Sequence, residues 1–279
     1  MSRARRLVSA VLSLLLTLQP LWALGEVRLL FLNVGKGDAI LIEGEGFCYL
    51  LDTGTKKNTD QIKAGLSFLN RETLEGILIT HADKDHCGGL KKLLKAGLCT
   101  GKVYISSCFA GEKEKSHPAI QDARDTGTPL QELSAGETLV LGEGVTLQVL
   151  GPLRKNEESE DDNSLVLLLT TPWGTALLCG DMTQTEEADL LSAGVLPQAD
   201  LLKVGHHGKK DATSIALVKT VSPKLAVISS DDAGSSSVTS RLMQAGAEIL
   251  FTQDAELGWL VTFSENQPDG PQVSKLENP

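Results

Sequence analysis

Four metal-ligand-type side chains fall within six residues at His81-Ala82-Asp83-Lys84-Asp85-His86, directly after an apolar run over 74–80. In an extended segment His81 and Asp83, two positions apart, point the same way and can reach one cation. Asp85 and His86, on the turn into Gly88-Gly89, can serve a second cation beside it. Imidazole with carboxylate is a donor set for zinc, iron or manganese. The competing account is a solvated polar loop, which a lone His-x-Asp would favour. So many donors at a strand exit favour metal. A second cluster, Asp200-Leu201-Leu202-Lys203-Val204-Gly205-His206-His207-Gly208, again runs an apolar strand into histidine. There one His can ligate while its neighbour donates a hydrogen bond or a proton, although a His-His pair alone is as often surface decoration. In Leu178-Cys179-Gly180-Asp181 the carboxylate either bridges two cations or merely makes a turn. His117, before Pro118, reads as a solvated loop residue.

These donors need elements to hold them. Apolar runs over 27–34, 39–42 and 48–51 read as three strands separated by Gly-rich turns. Residues 60–69 have helical spacing, 74–80 a buried strand, 88–96 a helix and 102–107 another strand. The stretch 109–128 is polar and irregular, with one helix over 119–124. Residues 138–141 and 145–150 bracket Gly142-Glu143-Gly144, a hairpin. After an acidic loop over 155–163 come strands over 165–170 and 175–179. Thr183-Gln184-Thr185-Glu186 is a capping box opening a helix to Leu191. Strands over 201–204, 225–229, 249–251 and 259–263 alternate with helices over 214–221 and 237–245. Residues 265–279 read as a frayed, disordered tail. Two mixed β-sheets with helices on their outer faces accommodate this order, an α/β architecture.

Composition bounds the rest. The chain has 279 residues, 41% hydrophobic and 22% charged, ordinary values for a folded protein. Its net charge of −10 and 4% aromatic content argue against a general nucleic-acid-binding surface. Residues 1–25 order a basic start, an apolar core and small residues at Ala23 and Gly25, the pattern of a cleaved secretory signal peptide. That segment holds three arginines and no acid, so its removal takes the body from −10 to −13. Pro20 interrupts an apolar stretch barely long enough to span a bilayer, which favours cleavage over a retained N-terminal anchor. An exported, soluble body over 26–264 is expected: secreted, periplasmic or at the cell surface. Cys99 and Cys108 either pair there or stay free thiols.

His81-Ala82-Asp83-Lys84-Asp85-His86 resembles the His-x-[His/Asp]-x-Asp-His signature of the metallo-β-lactamase fold. Its Asp in second place resembles one branch, the hydrolase domain of ComEC-type competence proteins. Phe31-Leu32-Asn33-Val34-Gly35-Lys36-Gly37-Asp38-Ala39, Leu50-Leu51-Asp52-Thr53-Gly54, Asn163-Ser164-Leu165-Val166-Leu167, Gly180-Asp181 and the His206-His207 segment agree with it in order, so the resemblance covers about 27–263. It implies a four-layer αββα sandwich with two divalent metal ions, zinc or manganese, between the sheets. It implies His81, Asp83 and Asp181 near one metal, and Asp85, His86 and His206 near the other, with Asp181 shared and Asp52 bracing the metal loop. Asn163 or Ser164 stands where many members carry a His, which makes the first metal site poorer in nitrogen. The membrane channel of full competence proteins has no counterpart here, so a role in DNA uptake does not carry over.

The expected function is metal-dependent hydrolysis, with Asp85 orienting the attacking water and His207 protonating the leaving oxygen. A phosphodiester substrate, and nucleic acid as partner, follow from the resemblance alone. The alternatives are a small-molecule lactam, lactone or thioester substrate, or a non-catalytic metal- or DNA-binding accessory protein.

Overall fold

In Val27–Leu32 (β1), Leu29 and Phe31 enter one apolar cluster while Leu30 and Leu32 enter another. Period-two alternation with both faces apolar means a strand covered on both sides. The same split recurs in Ile40–Gly44 (β2), with Ile40 and Ile42 inward and Leu41 outward. The computed structural model describes residues 25–109, 117–267 and 270–278; the expected signal peptide lies almost wholly outside them.

β1 and β2 belong to a sheet completed by Phe47–Leu51 (β3), Leu74–Ile79 (β4), Cys99–Ser106 (β5), Leu130–Leu133 (β6), Gly258–Phe263 (β14) and Gln272–Leu276 (β15). Its order is β15-β14-β1-β2-β3-β4-β5-β6. The second sheet contains Thr138–Gly142 (β7), Val145–Gly151 (β8), Val166–Thr171 (β9), Gly174–Leu178 (β10), Leu201–Lys203 (β11), Leu225–Ile228 (β12) and Glu248–Phe251 (β13), in the order β13-β12-β11-β10-β9-β8-β7. Both sheets mix parallel and antiparallel pairs.

The two inner faces meet in one cluster that includes Phe31, Leu78, Leu167, Leu178, Val227 and Phe263. Helices cover the outer faces: Thr59–Phe68 and Leu90–Lys95 on the first sheet, Gln184–Ala193, Ile215–Val221 and Ser236–Gln244 on the second. This is the expected αββα layering. Among the described residues no helix is long and apolar enough to cross a membrane.

Two expectations change, for the tail and for His117, and the alternative left open for Cys99 and Cys108 is decided. The tail is not frayed throughout, because Gln272–Leu276 pairs antiparallel with β14 from Gly258↔Leu276 to Thr262↔Gln272; its Pro- and Gly-containing lead-in hid a short edge strand. Cys99 and Cys108 do not pair. Cys99 opens the eight-residue strand β5 and Cys108 follows two residues after its end, so the strand's ~3.3 Å rise per residue separates them by roughly 20 Å, far beyond disulfide reach. All five cysteines are free thiols. Finally, His117 is buried rather than solvated. Its Nδ1 accepts the Ala119 N–H and caps helix Pro118–Thr126, and its ring meets Phe109 edge-on. Part of the irregular stretch beside it, 110–116, lies outside the described residues.

Candidate metal centre

The donors read from the sequence sit where strands of the sandwich end, and Asp161 joins them from the loop between β8 and β9. β4 delivers His81, and the short helix Lys84–Cys87 that follows carries Asp85 and His86. β10 ends before Gly180-Asp181, and β11 before His206 and His207. The loop after β1 reaches the same place because Gly37 has φ +136 and packs so closely that a Cβ there would strike the Asp85 carbonyl.

His206 and His207 have φ, ψ of 45, 46 and 53, 27. Two successive left-handed residues other than glycine are sterically unfavourable, and such strain concentrates at functional sites. On a strand, neighbouring side chains would point to opposite faces. Here the turn sends both rings into the site, with centroids 6.4 Å apart.

The four imidazoles share one arrangement. His86 Nδ1 is held by Asp52 Oδ2 at 2.8 Å, and His207 Nδ1 by the Ser229 carbonyl at 2.8 Å. His206 Nδ1 is held by Asp211 at 3.1 Å and His81 Nδ1 by the Thr80 hydroxyl at 3.0 Å. With every Nδ1 engaged outside, every Nε2 turns toward the carboxylates, the tautomer-fixing pattern of ligating histidines; that of His206 also meets the Lys209 ammonium. His86 Nε2 lies 3.3 Å from His207 Nε2 and 3.3 Å from Asp181 Oδ1, and His207 Nε2 lies 3.1 Å from Asp181 Oδ2. His206 Nε2 is 3.4 Å from Asp161 Oδ2, and His81 Nε2 is 3.8 Å from Asp161 Oδ1.

Two donor sets result, each group's ligand atoms lying within 4.8 Å of one another: Asp85, His86 and His207 on one side, His81, Asp83 and Asp161 on the other, with Asp161 also joining Asp181 and His206. Asp181 also groups with His81 and His86, so it stands between the sets, as a shared carboxylate must. The residues fit a dinuclear centre on a further ground. His81 Nε2 and Asp181 Oδ1 are buried without a hydrogen-bond partner, a cost that a cation between them would remove.

Electrostatics follow from burial and crowding. Burial opposes protonation of His86, but the Asp181 and Asp52 charges outweigh it and hold the ring well above the usual range. His81, buried beside His86, is pushed well below it. Burial would raise the Asp181 carboxyl, yet His86 and His207 keep it well below the usual carboxylate range. Asp161 is raised by burial, with His206 opposing.

The sequence reading and the structure differ in detail. The resemblance groups His206 with Asp85 and His86, but the ring found there is His207, because the left-handed turn crosses the two histidines over. His206 stands with Asp161 instead. Asn163 does not face the donors. Its amide closes the acidic loop, accepting Asn156 N–H at 2.7 Å and donating to the Asn156 and Ser159 carbonyls. Ser164 Oγ accepts the Asp181 N–H at 3.1 Å, a supporting contact. Asp52 accepts the Thr80 N–H and hydroxyl as well as His86. Asp161, Asp38 and Lys203 join the site from outside the sequence expectation. An acid in Glu157-Glu158-Ser159-Glu160-Asp161-Asp162 looks solvated, and Asp38 looks like a turn residue. Lys203 was the readable signal, a lone charge in an apolar strand.

A model of the Metallo-beta-lactamase superfamily matches residues 32–230, a span that contains every donor described above. The chain belongs to the metallo-beta-lactamase superfamily. As a member it is similar to ComE operon protein 3 of Bacillus subtilis, 29% identical over 223 residues, covering 74% of this chain and 28% of that protein. It is 31% identical over 203 residues to Recombination protein 2 of Haemophilus influenzae, covering 71% of this chain and 24% of that one. These are ComEC-type relatives, and the chain spans about a quarter of their length. Among solved structures, the metallo-beta-lactamase fold protein YhfI of Bacillus subtilis has a TM-score of 0.57 at 13% identity, over 85% of this chain and 99% of that chain. That likeness is one of fold.

Proposed function

We propose that the protein is an exported hydrolase that works with two divalent cations, zinc or manganese, and cleaves phosphodiesters. The observation that carries the reading is the convergence of four Nε2 atoms on two carboxylates, those of His86 and His207 on Asp181 and those of His81 and His206 on Asp161, with each Nδ1 anchored outside. Bound there, a pair of divalent cations supplies Lewis acidity and a nucleophile at neutral pH. His81, Asp83, Asp161 and His206 would hold one ion, Asp85, His86 and His207 the other, with Asp181 shared.

Asp85 suits the role of orienting the attacking water. Its carboxylate is partly exposed, held by Lys36 at 3.2 Å and 3.8 Å from His207 Nε2. In this reading His207 is a ligand rather than the leaving-group acid, since its Nε2 faces Asp181 and His86. A cleft of about 360 Å³ opens beside His207, lined by Lys36, Lys209 and Lys210 and equally by Asp211, Asp231 and Asp232. Lys36 is paired with Asp85 and Lys209 Nζ meets His206 Nε2, so the preference for an anionic ester over a lactam rests on the recombination name of the Haemophilus influenzae relative. Export rests on the N-terminal pattern of residues 1–25.

Metal analysis of the purified protein, followed by assays on single-stranded DNA, bis-nitrophenyl phosphate and a chromogenic lactam, tests the proposal. Two ions and phosphodiester cleavage are expected. One ion or none with no turnover would make it an accessory protein, and lactam cleavage alone would move the substrate class.

A further inference from the structure

Lys203 is wholly buried in the middle of the second sheet. Its register places it beside Leu178 and Val227, both inward-facing, so its side chain enters the space between the sheets. It does so at the end of β11, directly behind the donors. A buried ammonium is costly unless it is paired and hydrogen-bonded. Lys203 Nζ lies 2.5 Å from Asp38 Oδ2 and donates to the Gly180 carbonyl at 3.0 Å. Asp38 is itself buried, accepts the Ser229 hydroxyl, and lies 3.8 Å from His207 Nδ1 and 3.9 Å from His86 Nδ1.

The Gly180 carbonyl is the telling contact. It also accepts the His206 N–H at 3.3 Å, while the N–H at the other side of the same peptide, Asp181 N–H, donates to Ser164 Oγ at 3.1 Å. The peptide that carries Asp181 is therefore pinned at both its oxygen and its nitrogen. Gly180 has φ +52, and a Cβ there would press on Ser164 and Thr80 at 3.0 and 3.1 Å. From that peptide the Asp181 carboxylate lies between His86 and His207.

We propose that Lys203 is a positioning residue of the metal centre, a fixed internal cation that holds the Gly180–Asp181 peptide so that the Asp181 carboxylate is presented to both ions. This rests on the two-metal reading. Charge bookkeeping agrees with it: two divalent ions answer the four donor carboxylates Asp83, Asp85, Asp161 and Asp181, and Lys203 answers Asp38. The competing role is that the Lys203–Asp38 pair only fastens one sheet to the other.

The double variant Lys203→Met with Asp38→Asn separates them, because it removes both buried charges together and leaves neither unpaired. Cobalt binding is measured on the full chain by calorimetry and by the visible absorption of the bound ion, beside a metal-free melting curve. A positioning role predicts a folded double variant with cobalt affinity about 10- to 100-fold weaker and an altered absorption band. A folded double variant with wild-type stoichiometry, affinity and spectrum would overturn the proposal and leave the fastening role. If Lys203→Met alone does not fold, the double variant carries the test. Wild-type protein that takes up fewer than two cobalt ions overturns the two-metal reading instead, a result visible before any variant is made.

Discussion

Replacing Asp52 by Asn tests how the centre keeps its histidines facing inward. Asp52 is wholly buried at φ +57, a left-handed setting that Asn tolerates well, so the backbone should hold. Oδ1 accepts the Thr80 N–H at 2.8 Å, while Oδ2 accepts the Thr80 hydroxyl at 2.7 Å and His86 Nδ1–H at 2.8 Å. In the variant the amide oxygen can keep the Thr80 backbone, which puts the NH2 where Oδ2 was. An NH2 can only donate. His86 must then accept at Nδ1 and carry its proton on Nε2, 3.3 Å from Asp181 Oδ1. The change travels further. The Thr80 hydroxyl, now accepting from the amide, turns its proton toward His81 Nδ1 at 3.0 Å, so His81 also moves its proton to Nε2. One substitution thereby closes two inward lone pairs. Losing one charge-assisted hydrogen bond costs ~1.5–3 kcal/mol, which at about 2–4 °C per kcal/mol lowers the melting temperature by about 3–12 °C. Zinc or manganese affinity should fall at least about 10-fold. Calorimetric melting and metal titration read both quantities on one sample. A folded Asp52→Asn protein with unchanged metal affinity would refute the tautomer argument.

Asp161→Ala should remove the ion on the His81 and His206 side and keep the other, seen as a drop from two metals toward one in elemental analysis; unchanged stoichiometry would return Asp161 to the solvated loop. Asp181→Ala should lower metal content toward one ion and abolish hydrolysis together, because both ions lose their shared carboxylate. Two retained ions with a merely lower melting temperature would require another bridging group. His117, pushed down to about 4 by burial against an ordinary value of 6.5, makes stability pH-dependent. Between those values the unfolded chain binds the proton and the folded chain does not, so stability present above pH 6.5 is lost as pH falls toward 4. His117→Asn keeps a capping acceptor and removes the titration. Relative to wild type it should therefore gain about 2 kcal/mol between pH 8 and pH 5, read by urea unfolding, and a pH-independent difference would count against a buried neutral ring.

Legibility in the sequence tracked the kind of force at work. Strands buried on both faces, such as 74–79 and 201–203, announced themselves as apolar runs, and the donors at their ends were readable because strand ends are where loops leave the core. Edge elements were not. Leu130–Leu133 and Gln272–Leu276 are half-exposed strands whose composition differs little from loop. Within the centre, residue types were legible but directions were not. Nothing in Gly205-His206-His207-Gly208 states that both histidines adopt φ near +50, and that turn decides which ring joins which donor set. Asp161 was hidden for a different reason. Its role depends on Asn163 folding the acidic loop back on itself, a contact between residues with no apolar signature.

β1 lies between β2 and β14, paired with Phe263 through Gly258 along its whole length. The strand made first is thus closed by one made more than 230 residues later. In kinetic terms this is a contact of very high sequence separation, whose loop-closure entropy must be met before any reward arrives. Until β14 docks, β1 presents a row of unpaired backbone groups and the apolar side chains of Leu29 and Phe31, the exposed edge to which other chains add. The second sheet, built from neighbours in sequence over 138–251, carries no such delay. Folding should therefore be limited by the return of the C-terminal strands to the first sheet, and truncations before Gly258 should aggregate rather than yield a smaller folded domain.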